Sequence, residues 1–450
     1  MPHIRPFRAL RFAPDAVPDL AAVVAPPYDV LSAADRARLL ARHSRNVVRL
    51  DAPDVESGDA EDDRYRRAAR TLAAWRSDGT LHKDPRPAIY PYEQTYRVPG
   101  TDVERTQRGF FARLRLEPLE PGSGVLPHER TLAAPREDRY RLLRATGVNT
   151  SPVIGLYDDP SGRAAATLAT LAGVSPVGDV LDEDGVRHRL WVTPAERHEP
   201  DGPAPDDSPA DPVADLVALA SAGPITIADG HHRYETALRY RDERRMSRSC
   251  EEDPAFDYLL MLFLETSAEP LTVLPTHRLL AGLGPDGVAR LLAGLDGLFE
   301  IQSASRAEIE GAFDGRVEAS GGAGRFGLWT RPGGWLLTAR RAAFEPHLSS
   351  GGPAVRALDV VLLGVALEQL AGIDPAAVTS GDRVRFTKSV AEAFAAVDSA
   401  DDGIDVAFLL EPTPVASIAA VAAEGDVMPQ KSTYFYPKAL TGLVINPLEW

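Results

Sequence analysis

Hydrophobic and polar positions alternate along the chain with two different periods, which predicts both strands and helices. Residues 225–227 are apolar at alternate positions and lead into Asp229 and Gly230, after which apolar positions recur at helical spacing. This pattern predicts a strand, a tight turn and a helix. Residues 256–264 are predicted to form a buried strand, and residues 326–340, with Pro-Gly-Gly at their centre, a hairpin of two strands.

A further helix is predicted near the C-terminus. Thr413 and Pro414 precede an alanine-rich apolar run that ends at Gly425. We expect Thr413 to be the N-cap, Pro414 the first helical residue and Gly425 the C-terminal signal. Strands that alternate with helices are typical of a mixed α/β protein.

Two polar segments divide the chain. Residues 51–63 are crowded with carboxylates, and residues 196–215 combine five prolines with repeated aspartates, so we expect both at the surface. We therefore predict an N-terminal α/β segment over 1–100, a central core over 101–270 with an insertion near 196–215, and a C-terminal α/β domain over 271–450.

Composition limits the classes of function. The 450 residues are 44% hydrophobic and 25% charged, as in ordinary globular proteins, and the net charge of −16 opposes non-specific binding to nucleic acid. The one cysteine, Cys250, cannot form an internal disulfide, which favours a reducing compartment. The longest apolar run, 360–367, is far shorter than the roughly 20 residues that span a bilayer. We expect a cytoplasmic protein that does not enter membranes.

Two common nucleotide motifs are set aside. Gly322, Gly324 and Gly327 have the G-x-G-x-x-G spacing, but a predicted hairpin strand follows them where the dinucleotide fingerprint needs a helix. None of the four lysines follows a glycine, so the chain has no Walker loop. A phosphate site in this chain must therefore be built from a different motif.

The segment ADGHHRYETA, residues 228–237, carries the strongest chemical signal. It places an acid, a glycine, two histidines and an arginine on the predicted strand-to-helix turn, where backbone N–H groups and the helix dipole attract anions. Gly230 permits close approach of a ligand, Arg233 offers a planar fork to phosphate oxygens, and His231 and His232 can donate hydrogen bonds. Together with Asp229 they predict a phosphate-binding turn.

Two other interpretations of this segment stay open. His231 and Glu235 have the i, i+4 spacing of two metal ligands, although His231 and His232 point in different directions from a helix start. The histidines could also serve only to satisfy a buried turn.

Four segments together resemble a known bacterial family. They are the 228–237 box, APPYDVLS at 25–32, GVLPHERT at 124–131 and MPQKSTYFYPKALTGLVINP at 428–447. The chain resembles, over nearly its whole length, the family catalogued as domain of unknown function 1015.

The Asp-Gly-His-His-Arg box is also similar to the phosphate-binding box of the ParB-like fold, which includes free serine kinases. This resemblance implies an α/β fold with a ParB-like core and additional α/β segments on both sides. By the same resemblance Glu129, followed by a helical stretch at 136–146 and an apolar segment at 152–157, matches the glutamate that acts as base in those kinases. The insertion before the box departs from their compact pattern.

The residue inventory fits phosphoryl transfer, which needs cations and N–H groups around the phosphate and a carboxylate for the attacking hydroxyl. We expect His231, His232, Arg233 and the turn amides to hold the phosphate, and we count Glu129, as base, and the two histidines as catalytic. Alternatively, Glu129 is an ordinary exposed glutamate or a charge at a helix N-terminus. Asp229 or Asp29 would lie near Mg²⁺. The expected cofactors are ATP or ADP with Mg²⁺.

Lysine usage adds a further signal. Only four of the 49 basic residues are lysines, yet three of them follow residue 387. Lys431, Ser432 and Thr433 offer an ammonium and two hydroxyls as a phosphate clamp. Alternatively, they form a polar loop before an aromatic strand at 434–436.

Secondary candidates lie elsewhere in the resembling segments. Tyr28 and Asp29 follow two prolines, which are equally compatible with a structural lead-in. His128 precedes the candidate base, and residues 275–278 form another polar cluster after an apolar run.

The sequence therefore predicts a nucleotide-dependent kinase acting on free serine or a similar hydroxy compound. The alternative is a non-catalytic, nucleotide-binding regulatory protein of the same fold. A ParB-like nuclease is disfavoured by the acidic charge. The expected partners are a nucleotide and a small molecule, not nucleic acid or a membrane, and a homodimer is left open.

Overall fold

The computed structural model describes residues 1–120, 122–129, 133–195, 211–247, 252–268, 270–314, 324–348, 350–399 and 401–450. Four features of the sequence lie outside these residues: Cys250, Gly322, the last two residues of the 124–131 segment and the 196–210 part of the predicted insertion.

The strands before residue 200 are β1 (Ile4–Arg5), β2 (Leu10–Phe12), β3 (Leu81–Lys83), β4 (Ala88–Arg97), β5 (Glu104–Arg115), β6 (Val125–Leu126), β7 (Val148–Asn149), β8 (Val153–Tyr157), β9 (Gly178–Leu181), β10 (Arg187–Leu190) and β11 (Thr193–Pro194). The later strands are β12 (Ile225–Asp229), β13 (Tyr258–Glu265), β14 (Thr272–Leu274), β15 (His277–Ala281), β16 (Phe299–Ala304), β17 (Arg325–Thr330), β18 (Gly333–Ala339), β19 (Val384–Thr387), β20 (Ile404–Leu410), β21 (Tyr434–Tyr436) and β22 (Asn446–Pro447).

The helices are α1 (Ala33–Arg42), α2 (Val48–Asp51), α3 (Asp63–Ser77), α4 (Ala133–Thr146), α5 (Arg163–Leu171), α6 (Pro212–Ala220), α7 (His231–Ser247), α8 (Gly284–Gly294), α9 (Arg306–Phe313), α10 (Arg341–Phe344), α11 (Pro353–Arg356), α12 (Asp359–Ala371), α13 (Pro375–Ser380), α14 (Val390–Asp398) and α15 (Val415–Ala423). This mixture of helices and strands confirms the predicted α/β class.

A large mixed sheet organises the first part of the fold. Its strands run in the order β6-β12-β8-β13-β5-β4-β10-β9, with β1 beside β5 and β11 beside β4. Strand β13 is buried at every position, as its continuous apolar sequence requires for a strand covered on both faces. The predicted strand, turn and helix around Gly230 is confirmed as β12 followed directly by α7.

The directions of the strands bring three flanking segments to one edge of this sheet: those that follow β6 and β12 and the one that precedes β8. β12 is parallel to β6, so the segments that follow these two strands emerge side by side. β12 is antiparallel to β8, so the residue before β8, Pro152, lies at the same edge. The register of β12 against β8 shifts between Ile227 and Asp229, a bulge of the kind that redirects a side chain at the end of a strand.

A second sheet of six strands follows, in the order β16-β18-β17-β20-β15-β19. Strands β17 and β18 form the predicted hairpin. One apolar cluster continues from the large sheet, through residues such as Tyr90 and Leu262, into the six-stranded sheet at Leu280 and Leu328 and into α12 at Leu362. The two sheets therefore share a core.

The last part of the chain returns from the second sheet to the first. Strand β21, the predicted aromatic strand, pairs with β14. Isolated bridges then join Thr441 to Ala25 and Ile445 to Leu10, and β22 pairs with β7. This return path carries Lys431 and Lys438 to the edge where β6 and β12 end.

Several predicted boundaries are wrong. Helix α15 begins at Val415 with Pro414 as its N-cap, because the Thr413 hydroxyl instead donates to the Ser432 carbonyl O at 2.9 Å. Gly425 does follow the helix with a φ of +75°. The buried strand predicted at 256 begins at Tyr258, because residues 255–257 form a 3-10 turn.

The two predicted polar segments are shorter than expected. Residues 212–215 belong to α6, whose N-cap Asp211 accepts a hydrogen bond from the Val213 N–H. Asp51 is only 4% exposed, and its carboxylate accepts a hydrogen bond from the Thr150 hydroxyl at 2.6 Å. The division at residues 100 and 270 stays a prediction. Within the described ranges, none of the helices combines the length and apolar character needed to cross a bilayer.

The close contact of β5 with β13 predicts an intolerant glycine. A Cβ on Gly109 would lie against the Phe263 carbonyl O and 2.6 Å from Leu264 Cδ2. We expect Gly109→Ala to lower the free energy of unfolding by about 2 kcal/mol, because backbone in a central strand cannot move aside. Chemical denaturation measures this change.

Gly311→Ala is the matched control. It lies in α9 with nothing within 4 Å of an added Cβ, so the same substitution should stabilise the protein by about 0.5–1 kcal/mol. Equal effects of the two substitutions would contradict the packing described for β5.

Candidate functional site

A cavity of about 320 Å³ opens at the sheet edge where β6 and β12 end. We call it the anion cavity. Of the residues predicted from the sequence, those that line it are Tyr28, Asp29, Glu129, Asp229, Gly230, His231, His232, Arg233, Lys431 and Thr433. His128 and Ser432 lie behind its wall. The structure thus brings Glu129, the 228–237 box and Lys431 to one cavity, although Glu129 and Lys431 are 302 residues apart in the chain.

Gly230 is required at the turn for two reasons. Its φ of +90° lies in the region that favours glycine. A Cβ at this position would also lie 3.0 Å from Arg233 Nε, because the arginine folds back over the turn. In this position the guanidinium donates to the Pro152 carbonyl O and, at 2.7 Å, to Asp229 Oδ2.

Asp229 is held between two cations. Its Oδ2 accepts from Arg233 and its Oδ1 accepts from Lys438 Nζ at 3.0 Å. Burial opposes the charge on Asp229, but Lys438 and Arg233 together hold its pKa below the usual range for aspartate. The carboxylate is therefore ionised and fixes the position of both cations.

The first turn of α7 supplies backbone donors to the cavity. The first N–H groups of an α-helix have no acceptor within the helix, and here the residues that carry them, His231, His232 and Arg233, line the cavity. The helix runs for 17 residues, which is long enough to develop a dipole. This end of the cavity is suited to a phosphate or carboxylate.

Two histidines connect the segments that follow β6 and β12. The N–H of His128 donates to His231 Nε2 at 3.2 Å, and His128 also contacts the Ile227 carbonyl O and, at 3.1 Å, the Thr433 hydroxyl. Burial lowers the pKa of His128 to about 4 and that of His231 well below its usual value. Both rings are neutral, and Nε2 of His231 is engaged inside the protein.

His232 has a different position. It is partly exposed and lines the cavity, and burial lowers its pKa with Glu235 and Asp29 acting in the opposite direction. Of the two adjacent histidines, it is the one whose ring is not held by His128. It is therefore the better placed to meet a ligand.

Glu129 is positioned by backbone that is itself strained. Its Oε1 accepts a hydrogen bond from the Lys431 N–H at 3.1 Å. Lys431 has a φ of +57°, a backbone conformation that residues other than glycine rarely adopt. The Lys431 carbonyl O accepts from the Thr276 hydroxyl at 2.7 Å and from Arg278 Nη2 at 3.2 Å. These hydrogen bonds hold Lys431 in the left-handed conformation and aim its N–H at Glu129.

The environment of Glu129 changes its acidity. Burial raises the pKa of Glu129 to about 7, although the Lys431 N–H and charge act in the opposite direction. A carboxyl group with this pKa exchanges a proton near neutral pH, as a general base must.

Three of the four lysines of the chain line this one cavity. Lys388 and Lys438 were not among the predicted site residues. Their ammonium groups lie 4.0 Å and 4.4 Å from the centre of the Tyr434 ring, within the range of cation–π attraction. Burial, followed by the charge of Lys438, lowers the pKa of Lys388. The rarity of lysine in the sequence was the signal that could have identified both.

The remaining candidates have clear positions. The ring of Tyr28 lies 3.9 Å from the Arg139 guanidinium, and burial raises the pKa of Tyr28 to about 12. Asp29 is exposed at the mouth of the cavity. The Ser432 hydroxyl donates to the Pro429 carbonyl O, so it supports the loop from behind.

A metal site at the box gains no support. Glu235 accepts from Arg136 Nη1 at 2.6 Å, while Nε2 of His231 is occupied by His128. Among the residues that the structure describes, no three histidine, cysteine or acidic side chains cluster as a metal site would require.

The solved structures to which this chain is similar have low sequence identity to it and low TM-scores. A free serine kinase in complex with AMP is 13% identical, the match covering 76% of this chain and 90% of that one with a TM-score of 0.36. A conserved hypothetical protein from Pyrococcus furiosus is 13% identical, with 69% and 87% covered and a TM-score of 0.33. SbnI from Staphylococcus aureus, truncated at its C-terminus, is 11% identical, with 72% and 84% covered and a TM-score of 0.34.

Sequence comparison gives a family. No curated protein matches the chain. A family model described as "Protein of unknown function (DUF1015)" matches residues 4–361, well over half of the sequence. The match includes three of the four sequence segments, but not 428–447, and it confirms the resemblance to the family: the chain belongs to the DUF1015 family.

Proposed function

We propose that the protein is a nucleotide-dependent phosphotransferase that transfers a phosphoryl group to the hydroxyl of a small molecule. The observation that carries the proposal is that one cavity is lined both by Glu129, whose pKa burial raises to about 7, and by the N-terminus of α7 at Gly230 with its neighbouring cations. The motif resemblance to free serine kinases favours free serine or a similar hydroxy compound as the acceptor.

The phosphate would lie at the Gly230 turn. Backbone N–H groups of α7 and the ammonium groups of Lys388, Lys431 and Lys438 line this region, in a protein whose net charge is −16. Because the overall charge repels anions, the local cations must make the site attractive. Asp229 holds Lys438 and Arg233 in place, so this part of the site is arranged before a ligand binds.

Glu129 would accept the proton of the attacking hydroxyl. As that proton moves to Glu129, the hydroxyl oxygen forms a bond to the terminal phosphorus of the nucleotide, and the bond from this phosphorus to the bridging oxygen breaks. The products are a phosphorylated acceptor and a nucleotide shorter by one phosphate, either ADP from ATP or AMP from ADP. The proton on Glu129 is then released to solvent.

Mg²⁺ fits this cavity through one carboxylate. Both oxygens of Asp229 are engaged by cations, which makes it a poor ligand, whereas Asp29 is exposed at the mouth. Mg²⁺ is commonly bound by one or two carboxylates together with substrate phosphates, so Asp29 would hold it with the nucleotide. The ion would supply charge neutralisation between phosphate oxygens.

A second candidate is a nucleotide-binding regulatory protein without catalysis. The observation that favours it is the internal use of the box: Asp229, Arg233 and His231 all make hydrogen bonds within the protein. Calorimetry with ADP or ATP separates the two, because a regulatory protein would bind nucleotide in the presence of acceptors without consuming it.

Replacing the proposed base tests the mechanism. We expect Glu129→Gln to reduce kcat for transfer to serine by at least about 100-fold, because the amide cannot accept the hydroxyl proton. Nucleotide affinity, measured by calorimetry, should change little. Glu120→Gln, an exposed glutamate nearby in the chain, is the matched control. Full turnover by the Glu129 variant would rule out this residue as the base.

The raised pKa of Glu129 predicts a pH profile. The base works only when deprotonated, so kcat/KM, which reports the groups of the free enzyme, should rise with pH through an apparent pKa of about 7 and then level off. Initial rates between about pH 5.5 and 8.5 measure this limb. The residual activity of Glu129→Gln should not rise with pH in this way. The same rise in both proteins would mean that another group titrates.

The lysine cluster predicts a specific loss of affinity. Lys388→Met should weaken binding of ADP by about tenfold, because one charge-assisted contact to phosphate is lost. Lys83→Met is the control, since Lys83 is the one lysine outside the cavity and donates to the Trp450 carbonyl O. Calorimetry at constant salt measures both. Equal effects would mean that the cavity lysines do not meet the phosphates.

A further inference from the structure

A second cavity of about 250 Å³ adjoins the anion cavity. We call it the side chamber. The two share Val30, Lys388, Tyr434 and Lys438 as lining residues, so the tyrosine and the two lysines stand between them. Glu129 lines the anion cavity but not the side chamber. The side chamber is therefore separated from the proposed base by the junction at Tyr434.

Charged residues share the lining of the side chamber with apolar and aromatic residues. The apolar and aromatic residues include Val24, Leu39, Val180, Leu440, Tyr434 and Tyr436. Apolar and aromatic surfaces within a cavity are typical of sites for flat organic ligands. A free phosphate or a small hydroxy acid would gain little from them, whereas a base and sugar would.

The charged groups of the side chamber are mostly paired. Glu183 contacts both Arg38 and Arg42, and Asp182 is 3.0 Å from His188 Nε2. Asp184 is exposed and lines the chamber together with Tyr434 and Tyr436. Its carboxylate thus lies near the two rings and can accept hydrogen bonds from a sugar hydroxyl or an amino group on a base.

The junction between the cavities is cationic. Lys388 Nζ and Lys438 Nζ both lie over the Tyr434 ring, at 4.0 Å and 4.4 Å from its centre. Lys438 Nζ is also 3.0 Å from Asp229 Oδ1, which connects the junction directly to the Gly230 turn. A chain of phosphates leaving the side chamber would pass two ammonium groups before it reached the helix N-terminus.

We propose that the side chamber binds the base and ribose of the nucleotide. The phosphates then run between Lys388 and Lys438 to the Gly230 turn, and the acceptor lies beside Glu129. This assignment rests on the proposed function. It goes further by naming the side chamber as the part of the protein that selects a nucleotide over a simpler phosphate donor.

Photolabelling of the full chain with 8-azido-ADP tests this placement without any substitution. The expected label falls on peptides from residues 178–190 or 434–440, and excess ADP prevents it. Label confined to other peptides while ADP still protects them would overturn the side-chamber assignment. Absence of ADP binding in calorimetry would instead overturn the proposed function, so the two failures are distinguishable.

Substitutions in the side chamber provide a second test. Asp184→Asn and Tyr436→Leu should each weaken ADP binding at least about fivefold, while pyrophosphate, which lacks base and ribose, binds as to the unsubstituted protein. Asp102→Asn, at a fully exposed surface aspartate paired with Arg97, is the matched control. Unchanged ADP affinity in both chamber variants, or an equal loss for pyrophosphate, would contradict the assignment.

Discussion

The parallel pairing of β12 with β6 is the constraint on which the candidate site depends. Because the two strands point the same way, the residues that follow them, Glu129 and Gly230, emerge at one edge of the sheet despite a long separation in sequence. The hydrogen bond from His128 to His231 then fixes the distance between the two segments. Any other strand direction would place the carboxyl group and the helix N-terminus apart.

The charges that line the anion cavity are the second feature on which the site depends. The protein is acidic overall, yet three of its four lysines converge on one cavity, where Asp229 orients Lys438 and Arg233. Ammonium groups that share one cavity repel each other. Burial, followed by the charge of Lys438, accordingly lowers the pKa of Lys388. The arrangement is therefore consistent with a site that is stabilised further when an anion enters.

Local features of the site were predictable from the sequence because they depend on neighbouring residues. The change from strand period to helix period at Gly230 identified the turn, and the rare lysines marked the C-terminal segment. Lys438 was missed as a site residue because its partner, Asp229, lies 209 residues away, and no local pattern encodes such a contact. The burial of Asp51 was missed for the same reason, since its partner Thr150 lies in a distant segment.

The internal role of His231 was also beyond the sequence. A histidine after glycine at a helix start suggests a ligand contact, and only the position of the His128 N–H shows that Nε2 is already engaged. Where a side chain faces a partner from another strand, its chemistry is decided by tertiary structure. Positions inferred from motif order alone therefore hold best for Glu129 and Gly230, whose backbone placement follows from the strands.

The most direct test of the central claim is phosphorus NMR of the purified protein with ATP or ADP, Mg²⁺ and a panel of amino acids and polyols that includes serine. The account predicts a new phosphomonoester resonance that grows as the shortened nucleotide appears, in equal amounts. Bound nucleotide that stays intact with every acceptor, or that yields only inorganic phosphate, would contradict phosphoryl transfer to a hydroxyl group at this site.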